Sequence, residues 1–215
     1  MSENVAVEPS SASVKRPRRW SSDEIKRATD LLVAWMLIAF AMPLMAIVAI
    51  AIKCDSPGPI FYRQERVGLG GRRFTLLKFR SMKADAEADG QPVWAATRDD
   101  RVTRLGRLIR LVRIDELPQL FNVVSGDMSM VGPRPERPFF VEQLREIIPS
   151  YDERHTVLPG ITGWAQVNYP YGASVEDAKQ KHGYDRFYIA NRNIWLDLKI
   201  LAMTARVVVL QQGAR

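Results

Sequence analysis

The stretch LLVAWMLIAFAMPLMAIVAIAI, residues 31 to 52, contains no charged side chain. As a helix rising about 1.5 Å per residue it is long enough to cross a hydrocarbon layer of roughly 30 Å. A cleavable leader would be shorter and followed by a small-residue cleavage site, whereas this run continues into Lys53, Cys54 and Asp55. It therefore predicts a retained membrane anchor. Pro43, near the middle, removes one backbone hydrogen bond and predicts a kink. Lys15, Arg16, Arg18, Arg19, Lys26 and Arg27 precede the run, and Lys53, Arg63 and Arg66 follow it. A straight span would leave one basic flank outside, against the tendency of Lys and Arg to stay cytoplasmic. A helix that enters, bends at Pro43 and returns avoids that conflict, yet kinked spanning helices are common, so the residues alone leave both topologies open.

The remaining chain reads as one folded domain. Of the 215 residues, 47% are hydrophobic and 26% charged, enough for one substantial core. Residues 1 to 20, polar and Ser/Pro-containing, read as a disordered tail ending in a basic, lipid-facing segment, or equally as a solvated tail of no consequence. Net charge of +7 implies anionic partners: nucleic acid, phospholipid or small phosphorylated substrates. A single cysteine excludes an internal disulfide and a Cys-based zinc site, and with only His155 and His182 a zinc hydrolase is disfavoured.

After the anchor, DSPGPIFYRQERVGLGGRRFTLLKFRSM predicts a turn, a strand near 60–67, a glycine-rich connection and a second strand near 73–79, that is, a β-hairpin. GLGG is no phosphate-cradling loop, since no Gly-Lys-Ser/Thr follows and the next segment is strand-like. Residues 84–97 read as an exposed, mobile loop. Then RDDRVTRLGRLIRLVRIDELPQL places an arginine at every third position from Arg98 to Arg113, ahead of the adjacent acids Asp115 and Glu116. Leu105, Leu108, Ile109, Leu111 and Val112 supply an apolar helical face, and Pro118 predicts that the arginine helix ends close to Asp115 and Glu116 and that a new helix starts there. The two carboxylates, about 100° apart on a helix, can take different roles around one centre; neutralisation of neighbouring arginines would explain them as well. Three prolines in GPRPERP fix the direction of Arg134, which suits a phosphate grip or a solvated arginine in a rigid connector. LPGITGWAQV is a second Gly/Pro loop. Residues 186–211 predict an apolar helix whose Asp197, Lys199 and Arg206 keep it from crossing a membrane, so that it lies along the surface or packs on the domain.

Four segments taken together, DSPGPIFYRQERVG, FTLLKFRSM, RIDELPQLFNVVSGDMSMVGPRP and PGITGWAQVN, resemble the bacterial sugar transferase family, the monotopic phosphoglycosyl transferases. The resemblance covers about Trp20 to Leu210. It implies an α+β, mainly helical fold: a re-entrant membrane helix broken at Pro43 (residues 21–53), a small hairpin, and a cytoplasmic catalytic domain (54–215) with interfacial amphipathic helices. It implies transfer of a sugar phosphate from a UDP-sugar to undecaprenyl phosphate with release of UMP, at the cytoplasmic face of a bacterial inner membrane, as a first membrane step of exopolysaccharide or glycoconjugate synthesis. By the same resemblance Asp115 would be the covalent nucleophile, Asp115 and Glu116 would hold Mg²⁺, and Arg110, Arg134, Lys78 and Arg80 would bind substrate phosphates. Leu158 stands where the family usually has a basic residue, and QVNYPYGAS replaces a frequent Asn-Gly-Arg; both weaken any inference about the sugar. Lacking the extra N-terminal membrane helices of larger relatives, the chain reads as a near-minimal catalytic unit, its homo-oligomerisation left open. The alternative is a catalytically inactive membrane adaptor, which would not need both acids. A nucleic-acid binder is disfavoured, because an anchor and a carboxylate pair suit a phosphate backbone poorly.

Overall fold

The computed structural model describes residues 23–83, 100–169, 172 and 174–209. The expected N-terminal tail and the expected loop at 84–97 lie outside these residues. The first helix, α1 (Asp23–Asp55), is 33 residues long, about 50 Å at the helical rise. Its buried apolar positions are Ala34, Ile38, Ala41, Met45, Val48 and Ile52, alternating steps of four and three that keep one stripe against the domain. The opposite face is equally apolar but uncovered: Leu32, Trp35, Met36, Ile47 and Ile50 are exposed, and Phe40 is 88% exposed. One face therefore belongs to a protein core, and the other matches a hydrocarbon environment better than water.

The helix runs through Pro43 without interruption, so the expected break is not an end to the helix. A proline removes a single i→i−4 bond, and Pro43 faces outward while Ala41 and Met45 on either side of it pack into one cluster with Phe79 and Ile109. The N-terminal end of α1 is also tied down. Lys26 Nζ lies 2.6 Å from Asp197 Oδ2, Asp30 accepts from Ser129 Oγ at 2.8 Å and from the Met130 amide at 3.1 Å, and Arg27 donates to the carbonyls of Val123 and Val124.

Strands β1 (Phe61–Val67) and β2 (Arg73–Phe79) form the expected antiparallel hairpin, Phe61 opposite Phe79 and Val67 opposite Arg73. Gly70 and Gly71, with φ of 63° and 77°, make its turn, a backbone that side-chain-bearing residues rarely adopt. Helix α2 (Arg104–Leu111) is shorter than expected. It begins where the Thr103 hydroxyl accepts from the Gly106 amide at 2.9 Å, and the chain leaves helical geometry before Arg113, whose φ of 57° is left-handed. The two acids thus lie in a separate 3₁₀ turn, Ile114–Glu116, ahead of α3 (Gln119–Ser125) with Pro118 at its N-cap.

Beyond α3, β3 (Ser129–Val131) pairs in parallel with β4 (Gly160–Thr162). Between them lie α4 (Pro138–Ile147) and a 3₁₀ turn at Tyr151–Thr156; after β4 come α5 (Trp164–Asn168), α6 (Val175–Asn191) and α7 (Ile194–Val209). The expected helix over 186–211 is therefore two helices. Asn193 divides them, its side chain accepting from the Leu196 amide at 3.0 Å as an N-cap does. The main core joins Ala34 and Ile38 of α1 to Leu76, Leu120, Val123, Met128, Val131, Tyr188 and Ile200. The fold is α+β and mainly helical, as the sequence predicts.

Candidate active site

Three segments far apart in sequence converge on the acidic pair. Asn122, on α3, pairs with β2 as another strand would: its Oδ1 accepts from the Leu77 amide at 3.0 Å and its Nδ2 donates to the Thr75 carbonyl at 2.8 Å. That clamp locks the 3₁₀ turn beside β2, and Lys78, the next residue along, brings its Nζ to 3.2 Å from Glu116 Oε1. From the other side Arg134 straddles the same carboxylate, Nη2 at 2.5 Å from Oε1 and Nη1 at 3.4 Å from Oε2. Adjacent residues of a 3₁₀ turn are about 120° apart, so Asp115 does not share this clamp. Only 8% exposed, it makes no hydrogen bond or ion pair among the described residues.

The electrostatics divide the pair in the same way. Burial, reinforced by the Glu116 charge, pushes the Asp115 carboxyl up to about 6, against the opposing pull of Lys78, Arg110 and Arg134. Burial acts on Glu116 in the same direction, but Arg134 and Lys78 outweigh it and hold that carboxyl well below the usual range. Burial lowers the Lys78 ammonium, and Glu116 works against the shift. With Lys78, Arg110 and Arg134 cationic and both acids ionised, the five groups sum to one positive charge, a surplus suited to an incoming phosphate.

Arg134 sits on a connector held one carbonyl at a time. The carbonyl of Pro133 accepts from the Gly160 amide at 2.9 Å, that of Arg134 from Arg154 Nη2 at 2.7 Å, that of Pro135 from Arg66 Nη1 at 2.9 Å, and that of Glu136 from the Val67 amide at 3.0 Å. The second Gly/Pro loop seals this arrangement from behind. A Cβ on Gly160 would stand 2.1 Å from the Gly132 nitrogen, and one on Gly163 2.2 Å from the Gly132 oxygen, so the two loops meet backbone to backbone.

Of the residues expected to bind phosphate, Lys78, Arg110 and Arg134 are gathered around the acids and Arg80 is not. Arg80 is buried at the C-terminal end of α1, donating to the carbonyls of Ile52, Ser56 and Pro57 and to Ser56 Oγ. Its guanidinium closes the helix end, where unpaired carbonyls favour a cation. Arg104 and Arg107 of α2 are exposed beside Leu108 and Leu111, so that face of the arginine run looks outward. Asn122 and Arg154 were not among the expected residues, because no local spacing marks an amide that copies a strand or an arginine that holds a carbonyl 20 residues away.

Among the described residues no group of three or more His, Cys, Asp or Glu is placed to hold a metal ion. Asp115 nevertheless fits magnesium as an oxygen ligand, being buried and without a protein partner, and this ion commonly takes one or two carboxylates with the rest of its shell from water and substrate phosphates. Glu116 fits it less well, since both its oxygens already face cations.

The family described as bacterial sugar transferase matches residues 21–211. The UDP-N-acetylgalactosamine-undecaprenyl-phosphate N-acetylgalactosaminephosphotransferase of Aeromonas hydrophila is 49% identical over 191 residues, which are 89% of this chain and 45% of that protein. The UDP-glucose:undecaprenyl-phosphate glucose-1-phosphate transferase of Caulobacter vibrioides is 46% identical over 199 residues, 91% of this chain and 74% of that protein. Its namesake from Escherichia coli K12 is 41% identical over 182 residues, 84% of this chain and 39% of that protein. The chain thus spans less than half the length of the Aeromonas and Escherichia relatives.

Proposed function

The chain belongs to the bacterial sugar transferase family, and on that premise we propose that it transfers a sugar 1-phosphate from a UDP-sugar to undecaprenyl phosphate through a covalent intermediate on Asp115. The observation that carries this reading is the contrast within the acidic pair: Glu116 is bound to two cations, and Asp115 is nearly buried with no partner. A carboxylate with little solvent and no hydrogen bond is a stronger nucleophile than a fully solvated one, and near pH 7 a carboxyl titrating at about 6 is mostly ionised.

In the first step an Asp115 oxygen forms a bond to the β-phosphorus of the UDP-sugar while the bond from that phosphorus to the bridging oxygen breaks, and UMP leaves with the bonding pair. Asp115 then carries the sugar phosphate as an acyl phosphate, a reactive mixed anhydride. In the second step a phosphate oxygen of undecaprenyl phosphate attacks the same phosphorus, and Asp115 departs as a carboxylate. The product is undecaprenyl-diphosphate-sugar. Lys78, Arg110 and Arg134 offset the negative charge that gathers as two phosphates approach a carboxylate. Glu116 keeps Lys78 and Arg134 aimed at that point before substrate arrives. Asp115 is the residue that would hold magnesium, and the ion would supply further neutralisation of phosphate charge.

The lipid substrate requires the site to sit at a membrane surface. Both ends of α1 are fastened to the same domain, the N-terminal end through Lys26 and Asp30 and the C-terminal end through Arg80, while its outer face presents Leu32, Phe40, Ile47 and Ile50. This supports a helix that enters one leaflet and leaves both its ends on the cytoplasmic side. Incubating the membrane-embedded protein with undecaprenyl phosphate and a panel of UDP-sugars tests the reaction. UMP release with at least one donor is expected; none with any donor would refute it.

A further inference from the structure

Behind Arg134 lies a buried polar unit that the proposed chemistry does not use. Arg154, 7% exposed, donates from Nη1 to the Tyr151 hydroxyl at 2.5 Å and from Nη2 to Asp185 Oδ2 at 3.0 Å, and the same Nη2 donates to the Arg134 carbonyl at 2.7 Å. Its guanidinium carbon also stands 5.0 Å from the centre of the Tyr151 ring. Asp185 comes from α6 and is 2% exposed. Three elements thus meet on one guanidinium, whose outlet is the backbone of the residue that grips Glu116.

Stability alone explains this arrangement poorly. A buried ion pair often contributes no more than apolar side chains of the same volume would. This one also leaves polar atoms without partners, since among the described residues Arg154 Nε and both ring nitrogens of the neighbouring His182 make no hydrogen bond. The need it does meet is local. Pro133 and Pro135 flank Arg134 and restrict the connector, and the Arg134 carbonyl is held by a guanidinium from another part of the chain.

We propose that Asp185, through Arg154, is a positioning residue for Arg134: it fixes the backbone from which the Arg134 guanidinium reaches the β-phosphate of the donor. The proposal rests on the reading of this site as a phosphate-transfer centre. Asp185 orients Arg154, Arg154 holds the Arg134 carbonyl, and the prolines on either side pass that restraint to the Cα of Arg134. Loosening any link frees the side chain to sample directions that miss the phosphate.

The test is a double-mutant cycle read as UDP binding with Mg²⁺ by titration calorimetry, in an Asp115→Asn background that cannot react. Arg134→Ala and Asp185→Asn should each weaken UDP binding about tenfold or more, the scale of one good hydrogen bond to a charged group. The double variant should bind no more weakly than Arg134→Ala alone. Tyr151→Phe, a milder change to the same unit, should weaken UDP a few-fold and again add nothing to Arg134→Ala; it carries the cycle by itself if Asp185→Asn does not fold. Losses that add, or wild-type affinity in a folded Asp185→Asn or Tyr151→Phe protein, would overturn the proposal and leave the transfer reaction standing. Wild-type UDP affinity in Arg134→Ala would overturn the assignment of Arg134 and this inference with it, whereas the reaction itself stands or falls on UMP release by the unmutated protein.

Discussion

Lys78 Nζ lies 3.2 Å from Glu116 Oε1, and the two residues are 38 positions apart in the chain. The bond crosses from the second strand of the hairpin to the turn bearing both acids, so the cation proposed to meet substrate is held by the acid that is not the proposed nucleophile. Glu116→Gln keeps the shape and removes the charge that tethers Lys78 and Arg134. Its kcat/KM for the UDP-sugar should fall by about a hundredfold or more, the loss of one or two charge-assisted contacts. Wild-type activity in this variant would show that the tether is dispensable.

The rate should depend on pH through Asp115. Its carboxyl titrates at about 6, and only the ionised form attacks, so kcat/KM should fall as pH drops through 6. Lys78 opposes the upward shift, hence Lys78→Met should move this acid limb to higher pH as well as lower the maximum. A pH–rate profile that is flat from 5 to 8 would contradict the assignment.

Stability should change in the opposite sense to activity. The ordinary Asp value is 3.8 and the folded value about 6, so the folded state binds more protons between them and stability falls as pH rises through that window. The shift of roughly two units corresponds to at most about 3 kcal/mol. Asp115→Asn removes this cost, and thermal unfolding at pH 7.5 should show it more stable than wild type by about 1–3 kcal/mol, a gap that closes toward pH 4.

Parts of this site were legible in the sequence because local rules govern them. Alternating residues and a glycine pair marked the hairpin, and Pro118 marked a boundary next to the acids. Lys78 and Arg80, two positions apart in FTLLKFRSM, read alike, yet Lys78 reaches Glu116 from within β2 and Arg80, just past the strand's last residue Phe79, closes the end of α1; where the strand stops depends on packing that no spacing encodes. The arginine run looked like one helix up to the acids. It stops at Leu111 because Arg113 turns left-handed, which nothing in a repeating Arg pattern signals. The division at Asn193 could have been read, since Asn before an apolar helical run is a familiar N-cap, but the apolar residues on either side masked it. Arg154 and Asp185, 31 residues apart, had no local signature at all.

The two Gly/Pro loops should not tolerate side chains where they cross. Gly160→Ala would place a methyl 2.1 Å from the Gly132 nitrogen, a backbone atom that cannot move without shifting the Arg134 connector. Denaturant unfolding should show a loss of about 3 kcal/mol or more, with activity falling further than stability alone would require.

Both ends of α1 should stay on one side of the membrane. In a Cys54→Ser background, cysteines introduced at Ser11 and at the exposed Glu142 should both resist an impermeant thiol reagent added to intact cells, and both should react after lysis. Labelling at Ser11 in intact cells would show a spanning helix.

The central claim is that Asp115 carries the sugar phosphate. Mixing the protein with a UDP-sugar it accepts, without undecaprenyl phosphate, and following both UMP and intact protein mass tests it most directly. The account predicts one equivalent of UMP per active site and a protein heavier by one sugar phosphate, the adduct lost on adding undecaprenyl phosphate and absent from Asp115→Asn. No UMP and no adduct until the lipid phosphate is present would contradict it and point to direct transfer between the two substrates.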